Sequence, residues 1–488
     1  MTLCATDESH RRATRTATPI GVLSDNVLLE IFDFCRRKHY EDPQCCIVWK
    51  WHLLVQVCRR WRQIIFESPQ RLNLQIRCTR RTLVRKNLGI WPPLPIAIHL
   101  FSTWPLAPID EEDAITVLEY ADRISSVRLY VTESLLEKMI MAMQKPFPML
   151  TRLEIFAKDG ESPVLPAEFL GGSAPSLQEI IFYSIPYPTL PALLLSARNL
   201  VSLNLRRIPQ IGYFPPDMMV SALAALPKLE SCVVYFRSAT SRPDRIRSPP
   251  VSRAVLPSLA SFHFQGSYEY LEDLITQIDS PQLNQILISY LNKPGDFQVT
   301  RLTEFIDRSV GPESTSSKRA HVCFHFDRVA FTLYRQANYP GLDRRSVETT
   351  ILSAGFHWRF PHMIQVLAQF SAIFYDVIHL DLDLETEFSE ELGDPEDVEW
   401  LPLLRQFPAM RTLHASWWLA LPLELSLEEI TAEMVDEAFP FLDLICLVGR
   451  GASSVEEIVS ARRSSDRPVT FVNTTEEFNK ILESYVSR

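Results

Sequence analysis

The chain has 488 residues, 46% of them apolar, with a formal charge of −10; that is ample material for a large core and too acidic for a general nucleic-acid or anionic-membrane binder. Fourteen glycines against thirty-five prolines leave few turns in which the backbone could approach a phosphate closely, which disfavours a nucleotide-binding α/β enzyme. The length corresponds to about three domains or one extended repeat array.

The nine cysteines form no Cys-x-x-Cys pair and read as reduced structural thiols. Residues 1–19 read as a disordered tail: Arg11, Arg12 and Arg15 mix with Asp7 and Glu8, and the apolar core of a secretory signal is lacking. No run of eighteen apolar residues occurs, so no membrane span is expected, and the compartment implied is cytoplasm or nucleus.

The first strong elements are two amphipathic helices. Ser24 or Asp25 can cap the first, and Val27, Leu28, Ile31 and Phe32 share one face of it. In the second, Leu53, Leu54, Val57, Cys58, Trp61, Ile64 and Ile65 recur at helical spacing, with Arg59, Arg60, Arg62 and Gln63 turned away. So small a unit cannot bury that much apolar surface alone, which points to a docking module. Leu23, Val27-Leu28, Ile31 and the run Val57-Cys58-Arg59-Arg60-Trp61-Arg62 resemble the F-box, in the form common in mushroom-forming fungi. The resemblance covers residues 20–75. Ser24 stands where that family usually has Pro, and a capping Ser serves the same helix start. The resemblance implies docking on the Skp adaptor and through it on a cullin. Leu23, Val27, Leu28, Ile31, Leu53, Leu54, Val57 and Cys58 would contact the adaptor, while Trp61 and Ile64 hold the helices together.

Residues 76–120 read as a connecting segment. From 121 to about 450 a phrase Pro-x-Leu-x-x-apolar-x-apolar recurs, at Pro148–Ile155, Pro175–Phe182, Pro227–Val234, Pro257–Phe264 and Pro281–Ile288, with Pro-less variants at Ile124–Leu129 and Leu200–Leu205. After a gap it returns around Val377–Leu382, Met410–Ala415 and Leu442–Leu447. Its period is that of a leucine-rich repeat: each unit gives one strand with one apolar face, and stacking buries that face in a parallel sheet. The fold class expected is therefore α/β, a small helical F-box followed by a curved leucine-rich-repeat-like solenoid. Residues 451–488 would cap it, with a helix over Val455–Arg463, a strand over Val469–Val472, and a Thr474/Glu477 capping box before Phe478, Ile481, Leu482 and Tyr485.

The biased segments 237–253 and 308–319 read as surface loops, and Glu385–Glu399 carries eight carboxylates without a basic residue. An aromatic residue follows the inner-facing apolar one in several units: Tyr130, Phe156, Tyr183 and Tyr235. By alternation these project from the outer sheet face, as candidate target-binding residues, unless the strand has ended and the rings pack at the turn.

No phosphate loop, dinucleotide fingerprint, zinc-protease motif or nucleophile elbow occurs, so no catalytic residue and no cofactor are assigned. His321, Cys323, His325 and Asp327 alternate along one strand, but the first and third side chains would start about 13 Å apart, too far to share one ion, so no metal is assigned. Asp381, Asp383 and Glu385 line a second strand, which reads as one wet face unless a neighbouring strand supplies facing ligands. The expected function is non-enzymatic: the substrate-recognition subunit of an SCF-type ubiquitin ligase, with an interaction scaffold outside ubiquitination as the alternative.

Overall fold

The structure, a computed structural model, describes residues 22–37, 51–68, 74–76, 78, 84–90, 95–101, 109–157, 162–238, 253–291, 300–310, 318–325, 328–335, 345–352, 360–385, 398–428, 439–450, 455, 459–460, 468–474 and 476–477. The chain packs as two compact units, Met1–Val127 and Arg128–Arg488. Both mix helices and strands.

The first unit begins with α1 (Asp25–Arg37). Its start is set locally: the Leu28 N–H donates to the Ser24 carbonyl at 3.0 Å and the Val27 N–H reaches Ser24 Oγ at 3.5 Å. The second helix expected from the sequence is two helices, α2 (Trp51–Val57) and α3 (Arg59–Glu67). Cys58 breaks them, because its backbone is extended and its Sγ accepts the Trp61 N–H at 3.4 Å, capping α3. The break rotates Val57 and Cys58 out of the stripe that continues through Ile64 and Ile65.

The span expected as a mere connection already alternates strand and helix: β1 (Leu74–Ile76), α4 (Val84–Ile90), β2 (Ile96–Phe101) and α5 (Glu111–Leu118). β1 and β2 are parallel, Leu74 opposite Ile96. β2 is buried on both faces from Ile96 to Leu100, so it shows neither the alternation nor the Pro-x-Leu phrase by which later strands are recognised. The division between the units falls within β3 (Ile124–Tyr130).

The second unit continues with α6 (Glu133–Ala142), β4 (Arg152–Phe156), β5 (Glu179–Tyr183), α7 (Leu190–Leu194), β6 (Ser202–Ile208), α8 (Pro216–Ala224), β7 (Ser231–Phe236), β8 (Ala254–Val255), β9 (Ser261–Gly266), α9 (Tyr268–Thr276), β10 (Ile278–Asp279), β11 (Gln285–Tyr290) and α10 (Thr300–Val310). It then runs through β12 (Lys318–Phe324), β13 (Arg328–Arg335), β14 (Arg345–Leu352), α11 (Phe360–Ala368), α12 (Ser371–Phe374), β15 (Val377–Leu384), α13 (Leu401–Leu404), β16 (Thr412–Ala415), α14 (Trp417–Glu428), β17 (Leu444–Leu447) and β18 (Thr470–Val472). In this unit the large sheet runs β4-β5-β6-β7-β9-β11-β14-β13-β12-β15-β16-β17-β18, and β8 pairs β10 separately.

The repeated phrase explains the parallel pairing. Leu153, Ile180, Leu203, Cys232, Phe262 and Ile286 lie in one register row, and Ile155, Phe182, Leu205, Val234, Phe264 and Ile288 in the next. Every one of them is buried. A one-residue slip would turn all of these side chains outward, so burial fixes the register.

The leading Pro has a sharper role than ending the previous element. The N–H groups of Leu150, Leu177, Leu229, Leu259 and Leu283 donate to the carbonyls three residues earlier, so Pro148, Pro175, Pro227, Pro257 and Pro281 stand at the second position of a β-turn, where a fixed φ near −65° is pre-set. Side chains then tie one turn to the next: Ser176 Oγ donates to the Pro148 carbonyl at 2.6 Å, Asn199 Nδ2 to that of Pro175 at 3.0 Å, and Ser258 Oγ to that of Pro227 at 2.8 Å.

The gap in the phrase between Ile288 and Val377 is filled by a different arrangement. β12 pairs β13 and β13 pairs β14 antiparallel, while β14 joins β11 and β12 joins β15 in parallel. Two residues separate His325 from Arg328, and the His325 N–H donates to the Arg328 carbonyl at 2.9 Å. So short a connection permits only a hairpin. At the chain end β18 pairs β17, and Thr474 Oγ1 accepts the Glu477 N–H at 3.3 Å. Phe478, Ile481, Leu482 and Tyr485, most of the Val455–Arg463 segment and most of the segments at 237–253 and 385–399 lie outside the described residues, as do 311–317 of the expected loop 308–319, whose ends instead belong to α10 and β12. No helix among the described residues is long and apolar enough to cross a membrane.

Candidate functional site

The helices of the first unit divide the expected contact residues into two sets. Leu28, Leu29, Phe32, Val55, Ile64 and Ile65 are buried. Leu28, at 0% exposure, is therefore a core residue and offers no surface to a partner. Val27, Ile31 and Val57 are exposed, at 43%, 37% and 59%, and Cys58 is exposed while its sulfur caps α3. Leu23 and Leu54 are half-buried, and the side chain of Leu53 lies outside the described residues. Val27 and Ile31 line a shallow depression with Asn26 and Glu30. Val27 and Ile31 thus form an exposed apolar pair on helices whose own core is filled.

The arginine run has a structural task that periodicity does not show. Arg60 donates to Asp25 Oδ1 through Nε at 3.0 Å and Nη2 at 2.7 Å, and also to the Leu23 carbonyl, so α3 clamps the start of α1. Arg62 Nε donates to the Val55 carbonyl at 2.9 Å, closing the corner between α2 and α3. Trp61 packs edge-on against Phe32, ring centroids 4.9 Å apart.

In the second unit the candidate aromatic residues lie within the strands, not at the turns. Tyr130, Phe156 and Tyr183 end β3, β4 and β5, with Phe156 directly opposite Tyr183. Tyr130 and Phe156 stack at 3.9 Å and 16°, Phe156 and Tyr183 at 5.6 Å and 17°. All three are half-buried on the face opposite the apolar rows. Tyr235 stands apart from this stack, with the Arg206 guanidinium 5.7 Å from its ring centre.

Beneath the stack sits Glu154, 3% exposed although it points to the outer face. Arg128 holds it side-on through Nε and Nη2, Arg152 approaches to 3.6 Å, and the Tyr130 hydroxyl donates to it at 3.2 Å. Arg152 also pairs Glu179 at 3.1 Å. Burial and the Glu154 charge together push the Tyr130 phenol well above its usual pKa. Sequence reading missed this pair; Arg128 and Glu154 occupy equivalent outer positions of adjacent units, so aligning the units against each other would have exposed it.

β12 and β15 do bring facing ligand types together. His321 registers with Asp381 and Cys323 with Asp383. His325 contacts Glu385, His321 lies 4.0 Å from Asp383, and His414 lies 3.6 Å from Asp381, which Arg319 also holds. Among the described residues no group of three or more of these side chains converges as a metal site. Burial, with Asp383 beside it, pushes the Cys323 thiol up to about 11, so it is protonated at neutral pH.

His379 is buried here, with its Nδ1 2.9 Å from Thr412 Oγ1. Burial first, then the Arg319 charge, lowers its pKa to about 4. Below pH 6.5 the unfolded chain takes up a proton that the folded chain refuses until about pH 4. This contribution to stability is thus full above 6.5 and lost as pH falls through that window. Stability measured by urea titration at pH 6.5 and 4.5 should drop on the order of 2 kcal/mol less in His379→Gln than in the wild type; equal drops would reject a neutral buried imidazole.

No family model matches the chain, and no curated protein matches it significantly.

Proposed function

We propose that this chain is the substrate-recognition subunit of an SCF-type ubiquitin ligase. Residues 20–75 dock as an F-box on the Skp adaptor and so on a cullin. Parallel strand-and-return units, read as a leucine-rich-repeat-like solenoid, hold the target on the outer sheet face. The observation that carries this reading is the exposed apolar pair Val27 and Ile31 on α1, with Val57 exposed at the end of α2, on helices whose own core is already filled by Leu28, Phe32, Ile64 and Ile65. The resemblance of the Val57–Arg62 run to the F-box names the partner. The chemistry belongs to the rest of the complex: this chain raises the effective concentration of a target lysine beside a ubiquitin-loaded enzyme, which needs no catalytic residue here.

Tagged full-length protein should co-purify with the Skp adaptor and a cullin. Recovery of the adaptor without cullin would favour an interaction scaffold outside ubiquitination. Recovery of neither overturns the assignment.

A further inference from the structure

Side chains from outside α10 hold it at both ends. The first N–H groups of a helix find no partner within it, and a side chain just ahead of the helix usually accepts from its second or third residue. Ahead of Thr300 stands Val299, whose side chain has no acceptor. Glu272, midway along α9, does that work instead: its Oε2 accepts the Arg301 N–H at 3.2 Å and its Oε1 the Leu302 N–H at 3.1 Å. Towards the other end Arg308 donates to Asp279 Oδ1 at 3.1 Å and to the Ile275 carbonyl at 3.3 Å. Between these ties Leu302, Phe305 and Ile306 are buried.

Helix caps usually sit at the surface, whereas Glu272 is 7% exposed. Arg301 and Glu304 of α10 act on its charge, Tyr290 of β11 lies fully buried beside it, and Asp273 adjoins it on α9. Arg301 Nη1 donates to Thr276 Oγ1 at 3.5 Å and Arg253 Nε to the Thr276 carbonyl at 3.0 Å, both at the end of α9. Burial is the largest influence and pushes the Glu272 carboxyl up to about 7. The Leu302 and Arg301 N–H groups and the Arg301 charge hold it back, and Glu304 adds to the rise. Two N–H bonds and a helix N-terminus thus replace only part of the water that an ionised carboxylate would keep outside.

We propose that Glu272 is a pH-controlled clasp between α9 and α10, closed while its carboxyl is protonated and loosened once it is ionised. The neutral carboxyl keeps an acceptor for the helix N–H groups without carrying a charge into the interior. Ionisation puts that charge in the closed form, and opening α10 returns it to water. With 4.5 for the open form and about 7 for the closed one, the clasp is strongest below 4.5 and its contribution is lost as pH rises through about 7. Opening bares Leu302, Phe305 and Ile306, so an apolar strip is uncovered on the alkaline side. The clasp needs neither the adaptor nor a target.

Hydrogen exchange on the full-length protein, corrected for the intrinsic effect of pH on amide exchange, tests the clasp. Between pH 6 and pH 8 the protection of Leu302, Phe305 and Ile306 should fall about tenfold in the wild type, the ratio that those two carboxyl values give. Glu272→Gln, close in shape and unable to ionise, should hold its protection level across the same range, and the amides of α6 should stay level in both proteins. A level wild-type profile, an equal fall in Glu272→Gln, or an equal fall in α6 would each overturn the proposal. A second measurement needs no variant: the Leu302 amide resonance of the wild type should shift with a midpoint near pH 7, and a midpoint below pH 5 would reject the clasp even if Glu272→Gln fails to fold.

Discussion

Replacing Val27 and Ile31 together by Asp should abolish capture of the Skp adaptor and leave the helices folded. Both residues stand exposed on one face of α1, so surface charge there should alter stability by about 0.5 kcal/mol or less. Against an apolar partner surface, each unpaired carboxylate would lose on the order of 2 kcal/mol or more, and together they would weaken binding about a thousandfold. Leu28→Asp is the contrasting variant. Its side chain is wholly buried, so it should unfold the module and lose binding by that route. Circular dichroism and adaptor pull-down separate the cases, and a folded Val27/Ile31 double variant that still captures the adaptor would sink the docking assignment.

Phe236→Ala should be the most damaging single truncation of the large sheet, costing about 4 kcal/mol. The ring is 1% exposed and meets four others, those of Tyr213, Phe214, Phe264 and Tyr270, at 6.1, 5.9, 6.2 and 4.8 Å between centroids. The backbone leaves no slack to refill the hole. A Cβ on Gly266 would already come within 2.7 Å of Phe264 Cζ and 3.0 Å of Phe236 Cδ2. Phe441→Ala, where the ring is 46% exposed, should cost about 1 kcal/mol or less. Urea denaturation gives the magnitudes, and hydrogen exchange should place the Phe236→Ala loss in β6, β7 and β9 first. Equal losses at the two positions would mean that this aromatic cluster is not the anchor of its region.

Much of the second unit was legible because its information is local. Each Pro-x-Leu turn closes over three residues, and each strand shows its own apolar alternation. The start of α1 at Ser24 is legible for the same reason. The break at Cys58 was hidden because apolar spacing continues across it, while the Cys58 sulfur caps α3. Packing of α1 against α3, seen in the Phe32–Trp61 contact, accompanies burial of Leu28 and leaves Val27 and Ile31 as the surface, a choice that spacing on one helix cannot make.

The strand rows of β4 to β11 and of β15 to β17 follow from residue order alone, since burying one face of an alternating strand leaves a single acceptable register. Three features required the assembled sheet: the reversed order β14-β13-β12, the ion pair that buries Glu154, and the bulge of β6 against β7 that aims Arg206 and Arg207 at two tyrosines. Each depends on which strand lies beside which, and adjacency is settled by connection length and by hydrogen bonds between segments far apart in the chain. Local pattern therefore determined what each strand buries, and tertiary neighbours decided what the open face presents.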